Sequence, residues 1–194
     1  MKRNVFGVIG AMDEPRETSA EAVSELKTLG VEPIMLTGDS RQCADAVAKS
    51  VGIDTVVSDV LPTEKEKEIS SLRSRGRRVL MVGDGINDSP ALAAADVGVA
   101  VGSGTDIAID SADVVLMQSD LRLAATAVKF SRRTLRIIRG NLFWAFVYNV
   151  IGIPIAAGVL FPAFGLLLSP MIGAAAMSLS SLFVVTNSLR LSGK

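Results

Sequence analysis

Residues 140–189 hold no charged side chain: fifty consecutive positions without Asp, Glu, Lys or Arg. No ordinary soluble domain leaves so long a surface uncharged, so this half of the chain is constrained to sit in lipid or inside a larger apolar body. The charges elsewhere are lopsided although the net charge is zero. All 20 acidic residues lie at or before Asp120, and the eight basic residues beyond it have no acid among them. A soluble domain followed by a membrane segment, with a boundary near 120–140, accounts for that split. The basic cluster Arg132, Arg133, Arg136 and Arg139 leads directly into a hydrophobic run, which favours a membrane flank over nucleic-acid binding. The single Cys43 excludes an internal disulfide and fits a reducing cytoplasm. The start, Met1-Lys2-Arg3 before about seven apolar residues, has no signal-peptide pattern.

The soluble half alternates short apolar runs with helical patterns. Runs at 5–12, 31–36, 56–57, 79–82, 97–101 and 113–117 read as strands. Helical spacing covers 18–29, 41–51, 63–75 and 91–95, and the first three stop at Gly30, Gly52 and Gly76. That alternation predicts an α/β, Rossmann-like, doubly wound parallel sheet. Turn-like motifs recur at strand ends, at Asp13, at Thr37-Gly38-Asp39 and at Gly83-Asp84-Gly85, and such ends converge on one edge, where ligands bind in open α/β sheets.

The most informative run is Val79 to Pro90. Its strand ends in Gly-Asp-Gly, so Asp84 and Asp88 stand four residues apart just beyond a buried strand. Two carboxylates and the Asn87 amide make a hard oxygen set suited to Mg²⁺; the plain alternative is a capped βα turn. A phosphoryl group also needs a fixed cation and hydrogen-bond donors. Thr37 and Gly38 offer a hydroxyl and amides near a helix start, and Lys65 offers a cation. Alone, Lys65 reads as a solvated lysine in the charge run 64–68, and only the other motifs in the same order turn that reading round; Asp39 either caps the following helix or touches substrate.

Taken together, Thr37-Gly38-Asp39, then Pro62 with Lys65, then Gly83-Asp84-Gly85-Ile86-Asn87-Asp88 resembles the haloacid-dehalogenase superfamily. The longer run 81–117, with Ala91 to Gly98 and Gly102-Ser103-Gly104-Thr105-Asp106, resembles the phosphorylation domain of a P-type ATPase. The resemblance implies that Thr37 and Lys65 hold phosphate and Asp84 holds Mg²⁺. It further implies that Asn87 and Asp88 support phosphate and metal, and that Asp13 and Arg16 belong to the hinge toward a nucleotide domain. It implies ATP as substrate of the whole pump. The family's nucleophile, the Asp of Asp-Lys-Thr-Gly-Thr, does not occur in this sequence, nor do the nucleotide domain, the actuator domain and the earlier membrane helices. The phosphorylation domain is therefore expected to be incomplete.

In the uncharged half, 141–161 and 168–190 are each long enough to cross a bilayer. Basic residues flank both outer ends, so both ends are expected in the cytoplasm with 162–167 outside, in the plasma membrane and in contact with lipid. Residues 121–140 carry apolar and basic positions in helical rhythm and are expected to form a stalk continuous with the first span, after a phosphorylation domain over 1–120. The intramembrane polar residues Asn141, Tyr148, Asn149, Ser178, Ser180, Ser181, Thr186, Asn187 and Ser188 serve either as helix–helix glue or as a site. The spacing Asn141…Tyr148-Asn149…Pro154 and Pro170…Met177…Ser180-Ser181…Asn187 resembles the last two membrane segments of copper(I)-exporting P-type ATPases. That resemblance implies that Tyr148, Asn149, Met177 and Ser181 contribute to Cu⁺ coordination, and a thioether suits such a soft ion. Zinc-transporting relatives use a Lys and an Asp in these helices, and neither is present here. The chain thus reads as the C-terminal part of a copper(I) export pump. Two alternatives remain open: a chemically silent membrane-anchored remnant or partner subunit, and a stand-alone phosphatase, which would also lack its nucleophile.

Overall fold

The computed structural model describes residues 14–84, 86–102, 110–165 and 169–191. The expected strand at 5–12, Asp13 and the Gly104-Thr105-Asp106 motif lie outside the described residues. The chain divides into two compact units, Met1–Ala127 and Val128–Lys194.

In the first unit, helix α1 (Ser19–Thr28) leads to strand β1 (Ile34–Leu36), α2 (Arg41–Val51), β2 (Thr55–Val57) and α3 (Pro62–Ser74). Strand β3 (Leu80–Gly83), a 3₁₀ turn (Ile86–Asp88), α4 (Ser89–Ala94), β4 (Val97–Val101) and β5 (Val114–Leu116) follow. Helix α2 is amphipathic at one turn's spacing: Ala44, Ala48 and Val51 are its buried residues. It ends at Gly52 with φ +80°, and the Ile53 N–H reaches back to the Ala48 carbonyl (2.8 Å). Helix α3 buries only Ile69 and depends on its start: Pro62 opens it, and the Leu61 N–H donates to the Glu64 carboxylate (3.3 Å).

All strand pairing is parallel. β1 pairs β2 in the register Ile34↔Thr55 to Leu36↔Val57, and a second group runs β3-β4-β5 with Met81↔Gly98 and Ala100↔Val115. Thus the described strands form two groups rather than one hydrogen-bonded sheet. Alternation along β3 sorts its side chains onto opposite faces. Met81 joins Ile69, Ala91 and Leu92, with Leu36 of β1 packed against the same cluster. Val82 packs against Val99, Val101, Leu116 and Ala124 on the other side. Leu36 and Met81 sharing one cluster brings the C-terminal ends of β1 and β3, and with them Thr37 and Asp84, to the same region of the unit.

Helix α5 runs without interruption from Arg122 to Ala156, over the stretch expected as stalk and most of that expected as the first span. The expected span of 141–161 is helical only to Ala156. Pro154 has no N–H to extend the ladder, and the chain closes in a Schellman turn: Gly158 has φ +86° and the Val159 N–H donates to the Pro154 carbonyl (3.1 Å). The short helix α6 (Phe161–Phe164) and helix α7 (Pro170–Leu189) complete the second unit. Among the described residues one helix, Met171–Leu189, is long and apolar enough to cross a membrane. The uncharged part of α5, residues 140–156, lies at the short end of the roughly 17–25 residues that cross a bilayer.

Candidate functional site

The site residues gather where β1 and β3 end. At the first end, the Thr37 N–H donates to the Val57 carbonyl (3.0 Å) and the Thr37 carbonyl accepts from the Val60 N–H (3.2 Å). The loop is therefore strapped to the segment after β2. Thr37 is half-buried, while Gly38 and Asp39 are exposed. A side chain at Gly38 would press on the Val60 carbonyl, 3.3 Å from an ideal Cβ.

Asp39 does not cap the helix that follows. Its carboxylate accepts from the Thr37 hydroxyl (2.9 Å), and its N–H donates back to that oxygen (3.1 Å). The start of α2 is served instead by Asp59, whose carboxylate accepts from the Arg41 N–H (3.2 Å). The sequence reading passed over Asp59. It stands at φ +57° in the left-handed region, and its N–H donates to the Asp39 carbonyl (2.9 Å). An Asp in a Ser-Asp pair just after a strand is the one signal that pointed to it, since Asp tolerates that conformation better than most residues.

At the second end, Lys65 on the first turn of α3 meets Asp88 at the end of the 3₁₀ turn, Nζ to Oδ1 at 2.7 Å. Both side chains are largely buried, with 16% and 14% of their area exposed. Lys65 is thus a paired cation, and the solvated-lysine alternative does not describe it. Asp88 folds back over the strand end: an ideal Cβ on Gly83 would lie 2.7 Å from Asp88 Cβ and 2.9 Å from its Oδ2. Only glycine leaves that space. Asp84 and Asn87 are exposed beside it. Ser89 Oγ, next in the chain after Asp88, is buried and has no hydrogen-bond partner among the described residues.

This donor set fits a hard divalent ion in kind. Asp84, Asp88 and Asn87 supply oxygen ligands, and an orphaned hydroxyl stands beside them. Two carboxylates alone are a partial shell: among the described residues no group of three or more His, Cys, Asp or Glu could hold a metal. Arg16 donates to the Ser119 carbonyl, which ties the segment before α1 to the loop after β5. Nearby, Arg122 at the start of α5 forms an ion pair with Asp120 (2.7 Å) and another with Glu21 of α1 (3.2 Å). The hydrogen bond from Arg122 pulls the Asp120 carboxyl down to about 2. Asp96 is lowered by the Val79 N–H and then by Arg73.

In the second unit the residues tied to copper are not drawn into one ligand set. Tyr148 is half-buried and its hydroxyl donates to the Gly173 carbonyl across the helix pair (3.5 Å). Asn149 donates to Ala145 of its own helix (2.8 Å), and Ser181 to the Met177 carbonyl (3.1 Å). Met177 is 65% exposed.

Residues 1–96 match the haloacid dehalogenase-like hydrolases. Copper-transporting ATPase 2 of Rhizobium meliloti is 55% identical over 184 residues, 95% of this chain and 22% of its own length. A copper-exporting P-type ATPase of Vibrio cholerae is 52% identical over 95% of this chain and 20% of its length. The crystal structure of a zinc-transporting PIB-type ATPase in its E2·Pi state is similar with a TM-score of 0.81 and 34% identity, over 93% of this chain and 28% of that one. The chain therefore spans about a fifth to a quarter of the length of these curated relatives. Along nearly its whole length the chain is thus about half identical to a stretch of copper-transporting ATPases, and the haloacid dehalogenase-like hydrolase match covers the segment that holds the Lys65–Asp88 site.

Proposed function

We propose that this chain is the C-terminal section of an ATP-driven copper(I) export pump, supplying the Mg²⁺ and phosphate site of its phosphorylation domain and part of the transmembrane copper site. The observation that carries the phosphate half is the Lys65–Asp88 pair, a largely buried cation held against a carboxylate at a strand end. Thr37 and its loop amides would receive the phosphoryl oxygens, with Lys65 as the fixed cation. Asp84 and Asp88 would hold Mg²⁺, with Asn87 beside them; the ion's chemistry there is neutralisation of phosphate charge. Asp88 would hold the ion while remaining the partner of Lys65, whose ammonium would face the phosphate. Thr37 exchanges Asp39 for the incoming anion.

Copper is favoured over zinc by two things. The relatives at half identity carry copper in their names, whereas the zinc-transporting structure is 34% identical, and residues 140–189 contain neither the Lys nor the Asp of the zinc relatives. Tyr148, Asn149, Met177 and Ser181 would contribute ligands, with Met177 as the soft donor. Its exposed thioether suits a site completed by other helices of the pump. The remaining partners are then the nucleotide and actuator domains, the earlier membrane helices and the surrounding lipid of the plasma membrane. Without Asp-Lys-Thr-Gly-Thr the 194 residues by themselves form no aspartyl phosphate.

The test uses a complete pump carrying this segment. By the family resemblance, forward phosphorylation from ATP needs bound copper, and backward phosphorylation from inorganic phosphate needs an empty transport site with an intact Mg²⁺ site. Asp84→Asn is expected to abolish both reactions, and Met177→Ala to lose the forward one alone. A Met177→Ala pump that binds copper and phosphorylates forward like the parent would remove the copper assignment. An Asp84→Asn pump that still phosphorylates would remove the metal assignment.

A further inference from the structure

Asn141, Asn187 and Ser188 were singled out by the sequence and have no part in the function above. In the second unit they meet. The Asn187 amide donates to Asn141 Oδ1 (2.7 Å), and the Asn141 amide donates to Ser188 Oγ (3.0 Å). All three are half-buried. Unlike the side chains of Asn149, Ser178, Ser181 and Thr186, whose hydrogen bonds return to their own helices, the side chains of these three bond across the pair among the described residues. Further contacts follow the same antiparallel alignment: Arg133 donates to the Arg190 carbonyl at the end of α7, and Trp144 meets Phe183 edge to face with ring centroids 6.2 Å apart.

An apolar interface between helices has many near-equal registers, because Leu, Val, Ile and Ala slide past one another at small cost. A relay in which Asn187 donates to Asn141 and Asn141 to Ser188 has one. Any slip orphans two amides in an apolar setting, and a single polar position is the best-attested means of fixing register between helices. The level it fixes is informative. At 1.5 Å per residue, Tyr148 and Asn149 lie about 10 and 12 Å along α5 from Asn141, and Ser181 about 9 Å along α7 from Asn187. Met177 lies one turn beyond, at about 15 Å. The lock thus brings the Tyr148-Asn149 step of one helix level with Ser181 on the other, and Met177 to the next turn. A slip by one helical turn, about 5.4 Å, would part them.

We propose that Asn141, Asn187 and Ser188 are positioning residues: an amide lock at one end of the helix pair that sets the axial register of Tyr148 and Asn149 against Ser181 and Met177. The proposal rests on the copper reading for its consequence but not for the lock.

Two measurements test it. In membranes containing the full chain with Cys43→Ser, Trp144→Cys and Phe183→Cys, mild oxidation should give one dominant intramolecular disulfide. Adding Asn141→Leu with Asn187→Leu leaves no orphaned amide, so the chain still inserts and folds, yet the disulfide yield should fall several-fold while Trp144→Cys with Ser180→Cys gains yield. In a complete pump carrying this segment, the same double Leu variant should keep phosphorylation from inorganic phosphate and need roughly tenfold more copper for half-maximal phosphorylation from ATP, since small misplacements of ligands cost at least that much. A merely structural role would lower both reactions together. Unchanged cross-linking in the double Leu variant overturns the lock, and a shifted cross-link with unchanged copper dependence overturns the positioning role. If Met177→Ala also leaves copper dependence untouched, the copper reading fails, and the cross-link yields still judge the lock.

Discussion

Lys65 Nζ stands 2.7 Å from Asp88 Oδ1, a contact between residues 23 apart that joins the start of α3 to the turn after β3. With both side chains mostly out of water, removing one partner strands the other charge. Lys65→Met should destabilise the first unit by about 2 kcal/mol, less than the loss for a fully buried pair. Lys65→Met with Asp88→Leu should recover part of it, because no lone charge remains. Denaturant unfolding of the chain in detergent, followed through the soluble unit, measures both. Neither variant should support phosphorylation in a complete pump.

Gly83→Ala should harm the site more than the fold. The added methyl would stand 2.7 Å from Asp88 Cβ, so Asp88 must swing out of its contact with Lys65. Overpacking of this kind costs about 1–3 kcal/mol. The metal shell would lose one of its two carboxylates, and Mg²⁺ dependence of phosphorylation should move to several-fold higher concentration. An unchanged Mg²⁺ dependence would show that Asp88 is not a ligand.

At Asp59 the backbone and the carboxylate make separable contributions. Asp59→Ala loses the acceptor for the Arg41 N–H and puts an unsuited residue at φ +57°, for a combined cost of about 2 kcal/mol. Asp59→Gly keeps the conformation and loses the acceptor, so it should cost about half as much. Equal losses in the two variants would mean that the left-handed conformation contributes nothing.

Acid should release the start of α5 late. Asp120 titrates at about 2 instead of 3.8, chiefly because the Arg122 side chain donates to it. A carboxyl lowered on folding contributes stability that is complete above its unfolded value and lost as pH falls through the folded one. The difference in amide exchange at residues 121–125 between the parent chain and Asp120→Asn should therefore be constant from neutral pH to about 4, and vanish toward pH 2. A difference that vanishes already near pH 5 would assign it to another group.

Topology follows from Arg132, Arg133, Arg136, Arg139, Arg190 and Lys194 flanking an uncharged connection. Ala163→Cys in a Cys43→Ser background should react with an impermeant thiol reagent added outside intact cells. Labelling only after permeabilisation would reverse the orientation.

The elements themselves were legible in the sequence because their signals are local. Helix α2 occupies the predicted 41–51 because Ala44, Ala48 and Val51 repeat at helical spacing before Gly52. The parallel class followed from alternation of element types, and the candidate donors from Thr37, Asp84 and Asp88 beyond strand ends and Lys65 at a helix start. Hydropathy continues through 157–161 while the helix does not: the left-handed Gly158 closes it after Ala156 inside an apolar run.

The sequence by itself determined which residues carry charge and where it stops: a mixed-charge stretch to Asp120, a basic stretch to Arg139 and an uncharged run over 140–189. It determined the inventory of oxygen and sulfur donors as well. Only the tertiary structure decided which donors meet. That Lys65 pairs with Asp88, that Asp59 rather than Asp39 serves the start of α2, and that Asn141 bonds Asn187 and Ser188 are contacts between residues 23, 18 and about 46 positions apart. Propensity and periodicity act over a few residues, whereas these pairings are selected by packing, where one arrangement leaves buried polar groups satisfied and its competitors do not.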